Sequence, residues 1–195
     1  MSPFTNYLTL GYEHIVSFSA LDHILFLIAL MATYQLKHWL KVIIAVSFFT
    51  IGHSVSLTLG ALDIVTVESE LIEFLIPVTI VFTALFNLSK AGQNQKSSSK
   101  NWLALLFGII HGLGFSNYYD MLVMGTKNYW EALLPFNLGV ELGQLAVVAA
   151  LLIALVVYEF ILNKKPREWN LFISGAAFAL ALIMCIETWP FEISF

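Results

Sequence analysis

Long apolar runs separated by short polar connections constrain this 195-residue chain more than any other feature. Crossing the ~30 Å of bilayer hydrocarbon takes roughly 20 such residues in a helix. In lipid, only helices and closed barrels satisfy every backbone polar group. Six runs fall near Glu13–Tyr34, Leu40–Leu62, Leu71–Leu88, Trp102–Phe115, Ala132–Leu162 and Leu171–Thr188. They predict an all-α membrane protein: a bundle of about six transmembrane helices forming one polytopic domain over residues 1–195. The fourth run is short, so its helix is expected to end in irregular backbone at Gly112 and Gly114. The fifth is long enough to tilt or to emerge into water. A soluble alternative fails on composition, because the chain is 59% hydrophobic and 11% charged where soluble domains carry about 25% charged residues.

The loops set the orientation. Lys37, Lys41, Lys90, Lys96, Lys100, Lys164, Lys165 and Arg167 all fall on one side, and only Lys127 falls opposite. The positive-inside rule makes these three loops cytoplasmic and puts both termini outside. The acidic residues Asp63, Glu68, Glu70, Asp120, Glu131 and Glu192 then face outward. This is the pattern of an integral protein of the cytoplasmic membrane. Residues Met1 to Tyr12 have no basic leader and no small-residue cleavage site, so they read as a polar-aromatic lead-in at headgroup level, not a signal peptide. The Gly/Gln/Ser/Lys-rich stretch near 90–101 reads as a flexible cytoplasmic loop. It divides the chain into two three-helix halves with no convincing repeat between them.

Several ionisable residues interrupt the apolar runs. Asp22 and His23 stand side by side in the first, His53 in the second, His111 in the fourth and Glu141 in the fifth. Each is unfavourable in lipid by roughly 2.5–3.5 kcal/mol on insertion scales, and such groups usually face a cavity, a partner or an ion. At 1.5 Å per residue, Asp22, His23 and His53 reach one level, roughly 20 Å above the cytoplasmic ends of their helices. Asn137, Glu141 and Gln144 recur at i, i+4 and i+7 and share one helix face. Thr50 and Ser54 flank His53 on its helix. His14 lies about 13 Å from His23 along a straight helix and on its opposite face. It is therefore either an outer waystation or part of an unwound start to the first span.

Imidazole nitrogens with a carboxylate, and no thiolate partner beyond the lone Cys185, suit a borderline divalent transition metal such as zinc or nickel. The bland alternative makes each histidine an interhelical hydrogen-bonding group and Glu141, Asn137 and Gln144 a polar seam. Glu73 reads as interfacial. The expected partners are the lipid bilayer and a metal ion. No nucleic-acid partner is expected, and oligomeric state is not readable.

Five motifs carry a family resemblance. They are Gly11-Tyr12-Glu13-His14-Ile15, Asp22-His23-Ile24-Leu25-Phe26, Phe49-Thr50-Ile51-Gly52-His53-Ser54, Phe107-Gly108-Ile109-Ile110-His111-Gly112-Leu113-Gly114-Phe115 and Phe136-Asn137-Leu138-Gly139-Val140-Glu141-Leu142-Gly143-Gln144. In this order they resemble the HupE/UreJ family of membrane proteins. That resemblance implies a nickel-like metal permease, with His14, Asp22, His23, His53, His111 and Glu141 along the ion's path. The competing reading is an intramembrane zinc-dependent hydrolase, with Asp22 or Glu141 as general base for metal-bound water.

Overall fold

The computed structural model describes residues 2–17, 20–89, 99–123, 129–163 and 165–190, and between 117 and 129 the side chain of Tyr119 alone. Seven α-helices follow in order: α1 Pro3–Val16, α2 Leu21–Met31, α3 Trp39–Ala61, α4 Ser69–Leu88, α5 Ser99–Val123, α6 Tyr129–Val156 and α7 Pro166–Glu187. A 3-10 turn precedes α3, and a short π segment, Val157–Ile161, extends α6. There is no strand among the described residues. The segments Leu36–Ala61, Ser69–Leu88, Trp130–Ile161 and Pro166–Glu187 are long and apolar enough to cross a membrane, and α1 with α2 makes a fifth if the bent pair counts as one. Their exposed rows, such as Ile44, Ile51 and Val55 on α3 or Leu134, Leu138 and Leu142 on α6, are the surface that lipid covers. The chain is an integral membrane protein.

Three expectations change. The lead-in is a helix: Pro3 occupies its first turn and Ser2 caps it, accepting the Thr5 amide. It bends by 65° into α2, so the run from Glu13 to Tyr34 is two helices, not one. Second, α5 passes Gly112 and Gly114 without a break and runs on to Val123. Third, helix α5 already begins at Ser99, inside the stretch read as a flexible loop. There Lys100 is buried, donating to Thr33 Oγ1 and lying 4.7 Å from the centre of the Tyr34 ring. The remainder of that loop, with Lys90 and Lys96, lies outside the described residues, as do Ser19, Lys127, Lys164, Glu192 and the Asp120 side chain.

Glycine explains how four of the helices meet. A Cβ on Gly52 would strike the Leu105 carbonyl, and one on Gly108 the Phe49 carbonyl, so α3 and α5 touch backbone to backbone. Further along, Gly60 lies against Ser116 and Gly112 against Ser56 and the His53 carbonyl. Residue numbers rise together along this seam, so the two helices run parallel. A second parallel seam joins α1 to α6, where Gly11 meets the Phe136 carbonyl and Gly139 the Leu8 carbonyl. The remaining helices are tied by polar side chains. Asn87 Nδ2 donates to the Ala29 carbonyl at 2.6 Å, and Asn170 Nδ2 donates to the Asn87 carbonyl at 3.1 Å. These bonds hold α2, α4 and α7 together, and a buried amide satisfied this way favours one arrangement of the helices over others.

Candidate metal centre

The bend between α1 and α2 builds the site. It follows a serine-rich stretch, Ser17 to Ala20, where the Ala20 amide donates to the Ser17 carbonyl instead of continuing the helix. His14, in the last turn of α1, is thereby folded back over His23, in the first turn of α2, with ring centres 4.7 Å apart. A straight helix would separate them by about 13 Å. Opposite them, α3 contributes His53, whose ring lies 6.0 Å from His14 and 6.1 Å from His23. One nitrogen from each of His14, His23 and His53 lies within 4.8 Å of the others. His14 therefore belongs with His23 and His53, and the outer-waystation reading is replaced.

These rings are not spent on holding helices together. His14 Nε2 and His23 Nε2 are buried without a hydrogen-bond partner among the described residues, and His53 has only the Asn137 side chain beside it, outside ordinary hydrogen-bond geometry. Leaving a buried polar atom unpaired costs about 1–3 kcal/mol, so such atoms gathered at one spot call for a ligand. The ligand spacing is loose for a bound ion: nitrogens around a tetrahedral metal with bonds of about 2.1 Å stand ~3.4 Å apart. Three neutral nitrogens and no thiolate fit a borderline divalent ion.

Asp22 supports rather than joins the set. Its Oδ1 accepts from the His23 backbone amide at 2.8 Å and lies 3.0 Å from His23 Nδ1. With Nδ1–H donating to the carboxylate, the Nε2 lone pair of His23 is left free for a ligand, the arrangement that orients histidines on metals. His111 is held similarly, its Nδ1 2.8 Å from the Phe107 carbonyl and its Nε2 unpartnered. Its ring is 5.1 Å from that of His23, yet it stands outside the three-nitrogen group.

The polar residues of α6 divide by level. Asn137 lies alongside His53. One turn on, Glu141 accepts from Ser47 Oγ at 2.7 Å, and Gln144 accepts from Thr50 Oγ1 at 2.9 Å. Glu141 is thus bonded beside the three histidines, not among them. Ser54 faces its own helix, donating to the Thr50 carbonyl at 2.7 Å.

On the other side of the site, a cavity of about 220 Å³ is lined by Leu21, Asp22, Glu73, Ile76, Pro77, Met184 and Thr188. An exposed carboxylate, Glu73, and Asp22 share its lining.

Sequence reasoning missed the aromatic frame. Phe115 lies tilted with its ring centre 3.9 Å from that of His14, and Phe49 lies 5.2 Å from His111 and 6.1 Å from both His23 and His53. Phe26 and Phe136 complete it at 5.7 Å from His111 and 5.8 Å from His14. The usable signal was spacing: Phe49 precedes His53, and Phe115 follows His111, by one helical turn. This frame excludes water and lowers the local dielectric around the rings.

A family model described as HupE / UreJ protein matches residues 1–192. No curated protein and no solved structure matches the chain.

Proposed function

The chain belongs to the HupE/UreJ family, and on that premise we propose that it is a permease for a divalent transition metal ion, nickel-like in its preference for nitrogen ligands. The observation that carries this reading is the convergence of His14, His23 and His53 from three helices, with one nitrogen of each within 4.8 Å of the others. In this reading the chain crosses the cytoplasmic membrane six times, counting the bent α1–α2 as one pass and α5 as another, with both termini outside. Cations gather at Glu73, pass Asp22, and shed water onto the three imidazoles. His111 and then the Glu141–Ser47 and Gln144–Thr50 pairs offer ligands further inward. Ligands strung along a path bind weakly enough to release, as conduction requires.

The test is accumulation of radioactive nickel or cobalt by cells expressing the protein. The His53→Ala variant should lose accumulation at unchanged protein level, and undiminished accumulation would sink the proposal. Compactness of the three-histidine set favours a second reading, the intramembrane zinc hydrolase, for which a bound zinc would supply an activated water. Its weakness is the base: Asp22 is engaged with His23 and Glu141 with Ser47. Cleavage of lipid or peptide substrates by purified zinc-loaded protein would favour it, and no turnover across a broad panel would remove it.

A further inference from the structure

The two glycine seams are copies of one another. Helix α1 reads Leu8-x-x-Gly11-x-x-His14 and, past its end, x-x-x-Phe18-Ser19; α5 reads Leu105-x-x-Gly108-x-x-His111-x-x-x-Phe115-Ser116. Their partners match as well, with Phe136-x-x-Gly139 on α6 and Phe49-x-x-Gly52 on α3. The contacts transfer residue for residue. A Cβ on Gly11 would meet the Phe136 carbonyl and the Val140 amide; one on Gly108 would meet the Phe49 carbonyl and the His53 amide. A Cβ on Gly139 would meet the Leu8 carbonyl and the Tyr12 amide; one on Gly52 would meet the Leu105 carbonyl and the Ile109 amide. One turn further, Gly143 faces Ile15 while Gly112 faces Ser56. The small residue has changed helix there, and the close approach is kept. Helix α1 therefore corresponds to α5, α6 to α3, and His14 to His111.

On the six-pass topology proposed above, α1 and α6 run inward while α3 and α5 run outward. The two units then run in opposite senses across the membrane, and in transporters built from oppositely oriented units the site lies where they meet. The histidines lie there. His23, from α2, touches both copies, 4.7 Å from His14 and 5.1 Å from His111. Inside each unit the contact is backbone against backbone at glycine, which leaves no room to slide. Between units, α3 meets α6 through the exchangeable side-chain bonds Ser47–Glu141 and Thr50–Gln144.

We propose that His14 and His111 are equivalent, alternating ligands: an ion held by His14, His23 and His53 passes to His111 as the α1–α6 unit rocks against the α3–α5 unit. His23 and His53 keep contact throughout. This deepens the transport reading and rests on it.

The experiment measures cobalt(II) binding by purified protein and cobalt uptake into proteoliposomes for His14→Gln and His111→Gln. We expect each variant to bind one ion within about threefold of the unsubstituted protein, because the remaining imidazole completes the set with His23 and His53, but to take up at least roughly tenfold less. Retained binding also shows that His111→Gln folds; His111→Asn replaces it if it does not. Normal uptake by the His111 variant overturns the hand-over. So does loss of binding in both variants, which would make the four imidazoles one fixed site. An unsubstituted protein that binds neither cobalt, nickel nor zinc removes the transport reading itself. In a Cys185→Ser background, a reducible crosslink across the units (T50C with Q144C) should block uptake, and reduction of the same protein should restore it. Uptake that is the same with the crosslink formed and reduced overturns the rocking motion.

Discussion

His23 shows how one side chain is prepared for a ligand. Its Nδ1 is pinned by Asp22, and its Nε2 is left bare inside an aromatic shell. Removing such a carboxylate partner typically weakens metal binding by 10–100-fold. Asp22→Asn should therefore lower cobalt affinity by about that factor in equilibrium dialysis, with unchanged thermal stability of the ion-free protein. An unchanged affinity would show that Asp22 does not orient the ring. At this scale much of the site was legible: Asp22, His23, His53 and His111 stand out because titratable groups in apolar runs need a reason. His14 did not group with them, because straight-helix arithmetic put it on the wrong face and only the break after Val16 reverses that. Glu141 entered the candidate set as an ionisable residue in an apolar run and as part of a family motif. Neither reports that Ser47, nearly two turns before His53 on α3, bonds it.

Among the helices, the glycines carry the most weight. Gly52 and Gly108 admit the opposing backbone, and any larger side chain must push α3 and α5 apart. Overpacking a tight contact typically destabilises by 1–3 kcal/mol. Gly52→Val should accordingly lower the unfolding temperature in detergent markedly, whereas Gly175→Val on α7, which has nothing within 4 Å of its added Cβ, should shift it little. Similar shifts for both would mean that the α3–α5 seam is not as close as described. Helix existence was legible from apolar runs, since a long run in lipid has few alternatives. The repeat was not. Its matching positions are few and spread over two helix types, and they align only once it is known which carbonyl each glycine faces.

Taken whole, the molecule is an apolar shell around a small polar interior, and its orientation is a question of loop charge. Lys37 precedes α3 and Lys41 lies in its first turn, while Asp63 and Ile64 follow it at the other end. Cysteine at position 37 should resist a membrane-impermeant maleimide added to intact cells, and cysteine at position 64 should react, again with Cys185→Ser as background. The reverse pattern would invert the topology.

The bend in the first span also bears on how the protein is made. Helix α1, with 14 residues, is about 21 Å long, and α2, with 11, about 17 Å. Neither alone reaches across ~30 Å of hydrocarbon. On the six-pass topology proposed above, the insertion machinery must therefore accept residues 3–31 as one segment, although it carries Asp22 and His23 and its partners on α3 and α6 have not yet been synthesised. Until the ribosome delivers His53 and then the Phe136 turn, the future metal site is an exposed polar wound in a nascent chain. Biogenesis of this protein is thus most exposed to failure early, in the interval between its first helix and its sixth.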